Sequence, residues 1–81
     1  MNGCELISRI HKVLSVMYFL SAINDETAVG ISEIAKYSKM MNENEVNELL
    51  KCCKELGYVN EEGGRFYLTY RGIISALSIS S

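Results

Sequence analysis

Apolar positions along this chain follow a helical period up to about residue 56, an alternating one just beyond it, and a helical one again at the end. Between residues 5 and 23, Leu6, Ile10, Val13, Leu14, Met17, Leu20 and Ile23 recur at helical spacing, with Glu5, Arg9 and Lys12 on another side, which predicts a first helix. Val16, Tyr18 and Phe19 fall outside that stripe, so the second half of this helix is apolar on several faces. A helix apolar all round is buried all round. Asn24 to Thr27 form a polar break, and Ala28 to Ile31 suit one short strand. Ser32 has the chemistry of an N-cap and Glu33 suits the positive end of a helix dipole, so a second helix is expected over about 33–40, with Ile34, Ala35 and Tyr37 or Ser38 inward. Asn42 can cap a third helix over about 43–56, with Glu45 at the capping-box position and Val46, Leu49, Leu50, Cys53 and Leu56 on one face. Gly57 stands where a left-handed C-cap is wanted.

Past Gly57, "YVN" and "RFYLT" flank "EEGG", the pattern of a hairpin over 58–69 whose turn uses Gly63 and Gly64 for positive φ. Thr69 can cap a last helix over about 70–78, in which Ile73, Ile74 and Leu77 repeat at helical spacing. The expected class is mainly α with a small β-hairpin, in one domain over residues 1–81. Ile34, Val46, Leu50, Leu56, Val59, Phe66 and Leu68 are its expected core.

A domain of 81 residues buries only roughly 60–65% of the surface its unfolded chain exposes, so it has little cover to spare for an all-round apolar helix. The apolar surplus on the first and last helices therefore points to a symmetric homodimer. Nearly half of the residues are apolar and none is proline, which describes a globular chain. The formal charge of −2 means that any role on nucleic acid rests on local placement of Lys and Arg. The most apolar stretch, Val13 to Ile23, spans 11 residues where a membrane-crossing helix needs about 20, so no membrane role and a cytoplasmic location are expected.

Three stretches in order carry a family resemblance. "ISEIAKYSKM" looks like the first helix of a helix-turn-helix, "VNELLKCCKELGYV" is similar to a recognition helix ending in Leu-Gly-Tyr-Val, and "GGRFYLTYRG" looks like a wing followed by an aromatic-x-Leu-Thr-x-x-Gly signature. Over about residues 6 to 78 the chain resembles the winged helix-turn-helix family, whose compact dimeric regulators are frequent in archaea and their viruses. A viral source would place it in the host cytoplasm. The resemblance implies double-stranded DNA as partner, with Asn44, Glu45, Asn47, Glu48 and Lys51 facing the major groove and the Gly-Gly tip beside the backbone. Arg65, Lys36 and Lys39 would add cationic contacts. Asn can pair with adenine and Glu can accept from cytosine. Residues 42 to 56 nevertheless carry four acids against two lysines, and Glu61 and Glu62 flank the tip.

Other chemistry finds less support. A zinc site would need about four ligands, which here means Cys4, Cys52, Cys53 and His11 converging from two helices. Adjacent cysteines on a helix point about 100° apart, so Cys52 and Cys53 are poorly placed to bond each other. Cys53 reads as core and Cys52 as half-exposed, with an intermolecular disulfide through Cys4 or Cys52 as the sharper alternative. His11 reads as a solvated helix residue. Tyr18, Tyr58 and Tyr70 are expected to be wholly or partly packed, leaving Tyr37 and Tyr67 for a partner. Lys54 and Arg71 could extend a phosphate-binding rim. No catalytic order, phosphate loop or cofactor motif is present, so no enzyme and no cofactor are expected. The leading reading is a homodimeric, sequence-specific DNA-binding transcriptional regulator. The alternative is a module that binds another protein through the third helix or the hairpin.

Overall fold

A computed structural model describes residues 3–39 and 41–79, with side chains from residue 6 to 78. The chain is mainly helical, with α1 over Gly3–Phe19, α2 over Ile31–Ser38, α3 over Glu43–Glu55 and α4 over Tyr70–Ile79. One antiparallel hairpin, β1 over Val59–Glu62 and β2 over Arg65–Leu68, stands between α3 and α4. Residues Cys4, Glu5 and Met40, on which parts of the sequence reading fell, lie outside the described side chains. No helix among the described residues is long and apolar enough to cross a membrane.

α1 ends four residues before its apolar stripe does. Ser21 takes φ 59°, and the amides of Ser21 and Ala22 donate to the Tyr18 and Met17 carbonyls at 3.0 Å each, the paired bonds of a left-handed helix stop. The Ala22 carbonyl is then used by the Leu68 amide at 2.7 Å, so the chain leaves the helix to pair with β2. The expected strand at Ala28–Ile31 is a single bridge, in which Val29 and Phe66 exchange both backbone hydrogen bonds, at 2.9 and 2.7 Å. β2 is thereby bonded along both edges, to β1 on one side and to residues 22 and 29 on the other.

α2 begins earlier than its expected cap. Gly30, extended after the Val29 bridge, is the N-cap, and Ser32 sits inside the helix without capping it. Ser38, not Tyr37, turns inward, and its buried hydroxyl donates to the Ala35 carbonyl at 3.0 Å. α3 starts as its sequence implies, with the Asn42 side chain accepting from the Glu45 amide at 2.9 Å. Met41 before that cap and Val46 after it occupy the positions of a hydrophobic staple, and both belong to the one core. At the far end Gly57 has φ 81°, and the Gly57 and Tyr58 amides donate to the Lys54 and Cys53 carbonyls.

Val13, Leu14 and Met17 of α1, Ile34 of α2, Val46 and Leu50 of α3, and Val59 and Leu68 of the hairpin are essentially fully buried in one cluster. Phe66 joins it. Leu56 does not: it is half exposed, because the chain turns at Gly57 before that side chain can reach the core. Val16, expected as surplus apolar surface, is buried. Tyr70, expected to be wholly or partly packed, is exposed, while Tyr18 is packed only in part.

The hairpin is fixed to the helices at one junction. Gly63 and Gly64, at φ 60° and 79°, make a two-residue turn that sets the register Val59 to Leu68 and Glu62 to Arg65. Where β2 ends, the Thr69 hydroxyl donates to the Gly57 carbonyl at 2.6 Å and accepts from the Gly72 amide at 3.1 Å, while the Thr69 amide donates to the Tyr58 carbonyl at 2.9 Å. Gly72 is buried against that carbonyl. A Cβ there would overlap the Tyr58 carbonyl oxygen and come within 3.2 Å of Leu68 Cδ2.

Gly to Ala inside a helix ordinarily stabilises by about 1 kcal/mol. At Gly72 the overlap should reverse the sign, and Gly72→Ala is expected to destabilise by roughly 1–3 kcal/mol in denaturant melts. A gain in stability would contradict the junction geometry.

Candidate nucleic-acid interface

Helical geometry divides the exposed side of α3 into three strips. Asn44, Glu48, Lys51 and Glu55 point directly away from the core. Asn47 and Lys54 lean toward the hairpin, where Asn47, Lys51, Lys54, Glu61, Gly64 and Phe66, with Ile31 of α2, line a cleft of about 350 Å³. Glu45 and Cys52 lean the other way, toward α1.

The structure thus brings together Asn47, Lys51 and the Gly64 turn, with Asn44 and Glu48 on the neighbouring strip. Arg65 follows the turn at the start of β2 and is exposed. Lys36 and Lys39 are exposed on α2 and just after it, and neither lines the cleft. The Lys36 ammonium lies 5.8 Å from the centre of the Tyr37 ring.

Glu45 departs from its expected role. Its amide serves the Asn42 cap, but its carboxylate pairs with the Arg9 guanidinium of α1 across 36 positions of sequence. A carboxylate engaged there is neither the second half of a capping box nor turned outward with Glu48. The partnership has no sequence signature: Arg9 reads as one polar residue on the first helix, and only the packing of α1 on α3 joins the two.

The cations beside the cleft are also matched to acids. Lys51 lies 3.9 Å from Glu48 one turn away, and Lys54 lies 3.2 Å from Glu61 on β1. Exposed pairs of this kind contribute about 0–1 kcal/mol, so they orient side chains more than they hold the fold. The Lys54–Glu61 pair straddles the Gly57 turn and joins α3 to the hairpin. Arg71, considered for a cationic rim, has its guanidinium carbon 5.5 Å from the centre of the Tyr58 ring.

Cys53 and Cys52 occupy different surroundings, as their places on the helix imply. Cys53 is buried in the core and Cys52 lines a mostly apolar notch with Leu6, Arg9, Glu45, Glu48 and Leu49. Burial pushes the Cys53 thiol up to about 12, with the neighbouring Cys52 adding to the shift. Among the described residues no group of three or more His, Cys, Asp or Glu side chains could hold a metal ion.

No family model, no curated protein and no solved structure matches this chain.

The Cys53 shift has a definite sign. The folded state keeps its proton to higher pH than the unfolded state, so this contribution to stability is complete below pH 9.0, the ordinary value, and is lost as pH rises toward about 12. The stability advantage of the parent over Cys53→Ala should shrink by about 1.4 kcal/mol per pH unit in that window. An advantage that stays constant would mean the thiol ionises without cost where it stands.

Proposed function

We propose that this chain is a winged-helix protein that binds double-stranded DNA sequence-specifically and acts as a homodimer in transcriptional control. The observation that carries the reading is the shared cleft: Asn47 and Lys51 of α3 open onto the same concavity as the Gly64 turn of the hairpin. A helix with side chains is about 10–12 Å across and the major groove about 12 Å wide, so α3 can enter the groove while the hairpin follows the adjacent backbone. In that pose Asn44 and Asn47 present amides to base edges, and adenine is the base they fit best. Lys51 and Arg65 meet phosphates, and Lys36 and Lys39 approach the backbone from α2. Glu48 faces the groove beside Asn44 and Asn47 and would accept from cytosine. Glu45, held by Arg9, acts by fixing α3 on α1 and not by reading a base.

The homodimer reading rests on α4. Tyr70, Ile74 and Leu77 are all exposed and fall at i, i+4 and i+7, an apolar stripe on the side opposite the buried Gly72 and Ala76. Ile7 and Tyr18 add exposed apolar area on α1. A two-fold pairing of this surface would cover the stripe and set two copies of α3 on one duplex.

One observation favours the alternative, a module that docks on another protein through α3 or the hairpin. Lys51 and Lys54 both stand beside carboxylates, so binding phosphate means displacing Glu48 and Glu61.

Selection from random duplex DNA at low salt should enrich a defined sequence. Affinity for it should fall with salt at a shallow logarithmic slope, on the order of −3 to −5 if four or five phosphates are neutralised. Arg65→Ala should weaken binding to all sequences alike, whereas Asn47→Ala should cost about 1–3 kcal/mol mainly at one base pair. Failure to enrich any DNA, together with recovery of a stable protein partner on immobilised protein, would replace this reading by the alternative.

Sedimentation at micromolar concentration should give twice the 9.1 kDa chain mass, and Ile74→Glu should return it to the single mass with α-helical content unchanged. A monomeric parent would remove the dimer.

A further inference from the structure

A second surface lies along the outer side of α1. Phe19, the last residue of α1, is 75% exposed, and its ring centre is 6.2 Å from that of Tyr37 on α2 at a 53° tilt. The two rings, with Val16, Ser15 and Lys12, line a depression of about 250 Å³. Two further depressions share Lys12 with it: one adds Ser8 and His11, the other Ser8, Arg9 and Met41. From Phe19 back to Ser8 these three depressions, taken together as one trough, span about 16 Å of α1, roughly three helical turns.

The charge of the trough is opposite to that of the chain. The sequence has ten acids and eight Lys or Arg, yet among the described side chains no carboxylate lines any of the three depressions. Lys12 is common to all of them, Arg9 and His11 stand at one end, and Lys36 stands over the Tyr37 ring at the other. Two described acids stand beside it: Glu45 pairs with Arg9 from the α3 side, and Glu33 lies one turn before Tyr37 on α2.

We propose that this trough docks an acidic amphipathic segment of a partner protein, with a bulky apolar side chain seated between Phe19 and Tyr37 and carboxylates over Lys12 and Lys36. An aromatic-walled depression ringed by polar side chains suits a desolvated anchor residue. A length of three turns matches a short helix presenting anchors at i, i+4 and i+7. The cations select the sign of the partner. Nucleic acid fits less well, because the trough offers too few cations for the six to ten phosphate contacts that make such binding strong at physiological salt, roughly two lysines and an already paired arginine. None of the residues lining the three depressions lines the cleft between α3 and the hairpin, and Lys36, which approaches the DNA backbone in the proposed pose, is the one cation the two surfaces would share.

The test is a selection from a phage-displayed random-peptide library on the intact protein, followed by titration of the enriched synthetic peptide. Enriched sequences should be net acidic with at least one Phe, Leu, Ile or Trp. Phe19→Ala and the double variant Lys12→Glu/Lys36→Glu should each weaken binding about tenfold or more. All three positions are at the surface, so thermal melts should be unchanged in both variants; the charge-reversed pair should also bind the peptide's Lys-for-Glu counterpart. No enrichment, enrichment of basic or neutral peptides, or binding that survives both variants would overturn the proposal. So would single-stranded or duplex DNA binding that Phe19→Ala abolishes, which would assign the trough to nucleic acid.

Discussion

The Thr69 side chain is where the helical and the extended parts of this chain are joined. Its hydroxyl donates to the carbonyl of Gly57, the turn residue just beyond α3, and accepts from the Gly72 amide left open at the start of α4. One small side chain thus ties the turn after α3 to the start of α4, and it does so only because Gly72 lets the Tyr58 carbonyl approach where any Cβ would overlap it. The hairpin that leaves Gly57 and returns at Thr69 is therefore pinned at its base, and its orientation relative to α3 follows. The shape of the cleft between Asn47, Lys51 and Gly64 depends on that pin.

What the sequence reveals of this arrangement is what local hydrogen bonding decides. Asn42, Gly57, the Gly63–Gly64 turn and Thr69 each solve a problem contained within a few residues, and each is found in its expected role. All but one of the departures named here come from partners distant in sequence; the exception, Leu56, follows from the neighbouring Gly57. α1 stops at Phe19 although its apolar stripe runs on to Ile23, because Ala22 is taken by Leu68 of β2. α2 starts after Gly30 and not after Ser32, because the Val29–Phe66 bridge fixes where the extended segment ends. Glu45 leaves its local capping geometry for Arg9, and Leu56 is turned outward by the stop that Gly57 makes.

The same logic applies to the candidate surfaces. Periodicity alone puts Asn44, Asn47 and Lys51 on the outer side of α3, but it cannot show that Lys54 pairs with Glu61 across a turn or that Lys51 stands beside Glu48. Those pairs lower the positive potential that the cleft offers to phosphate, and any duplex bound there must compete with them. Sequence spacing is equally silent on the trough along α1, since Phe19 and Tyr37 meet only through the packing of α2 on α1. An acidic chain thus carries two surfaces, one with paired charges beside a hairpin and one around two aromatic rings that no described carboxylate lines.

The central claim, that α3 and the pinned hairpin present one continuous face to duplex DNA, is tested most directly by mapping amide chemical shifts of the isotope-labelled protein as duplex DNA is added at low salt. The account expects the largest shifts in the same titration at Asn44, Asn47 and Lys51 and at Gly63, Gly64 and Arg65, with the amides of α4 little changed. Shifts confined to α1 and α2, or none at saturating DNA, would contradict it.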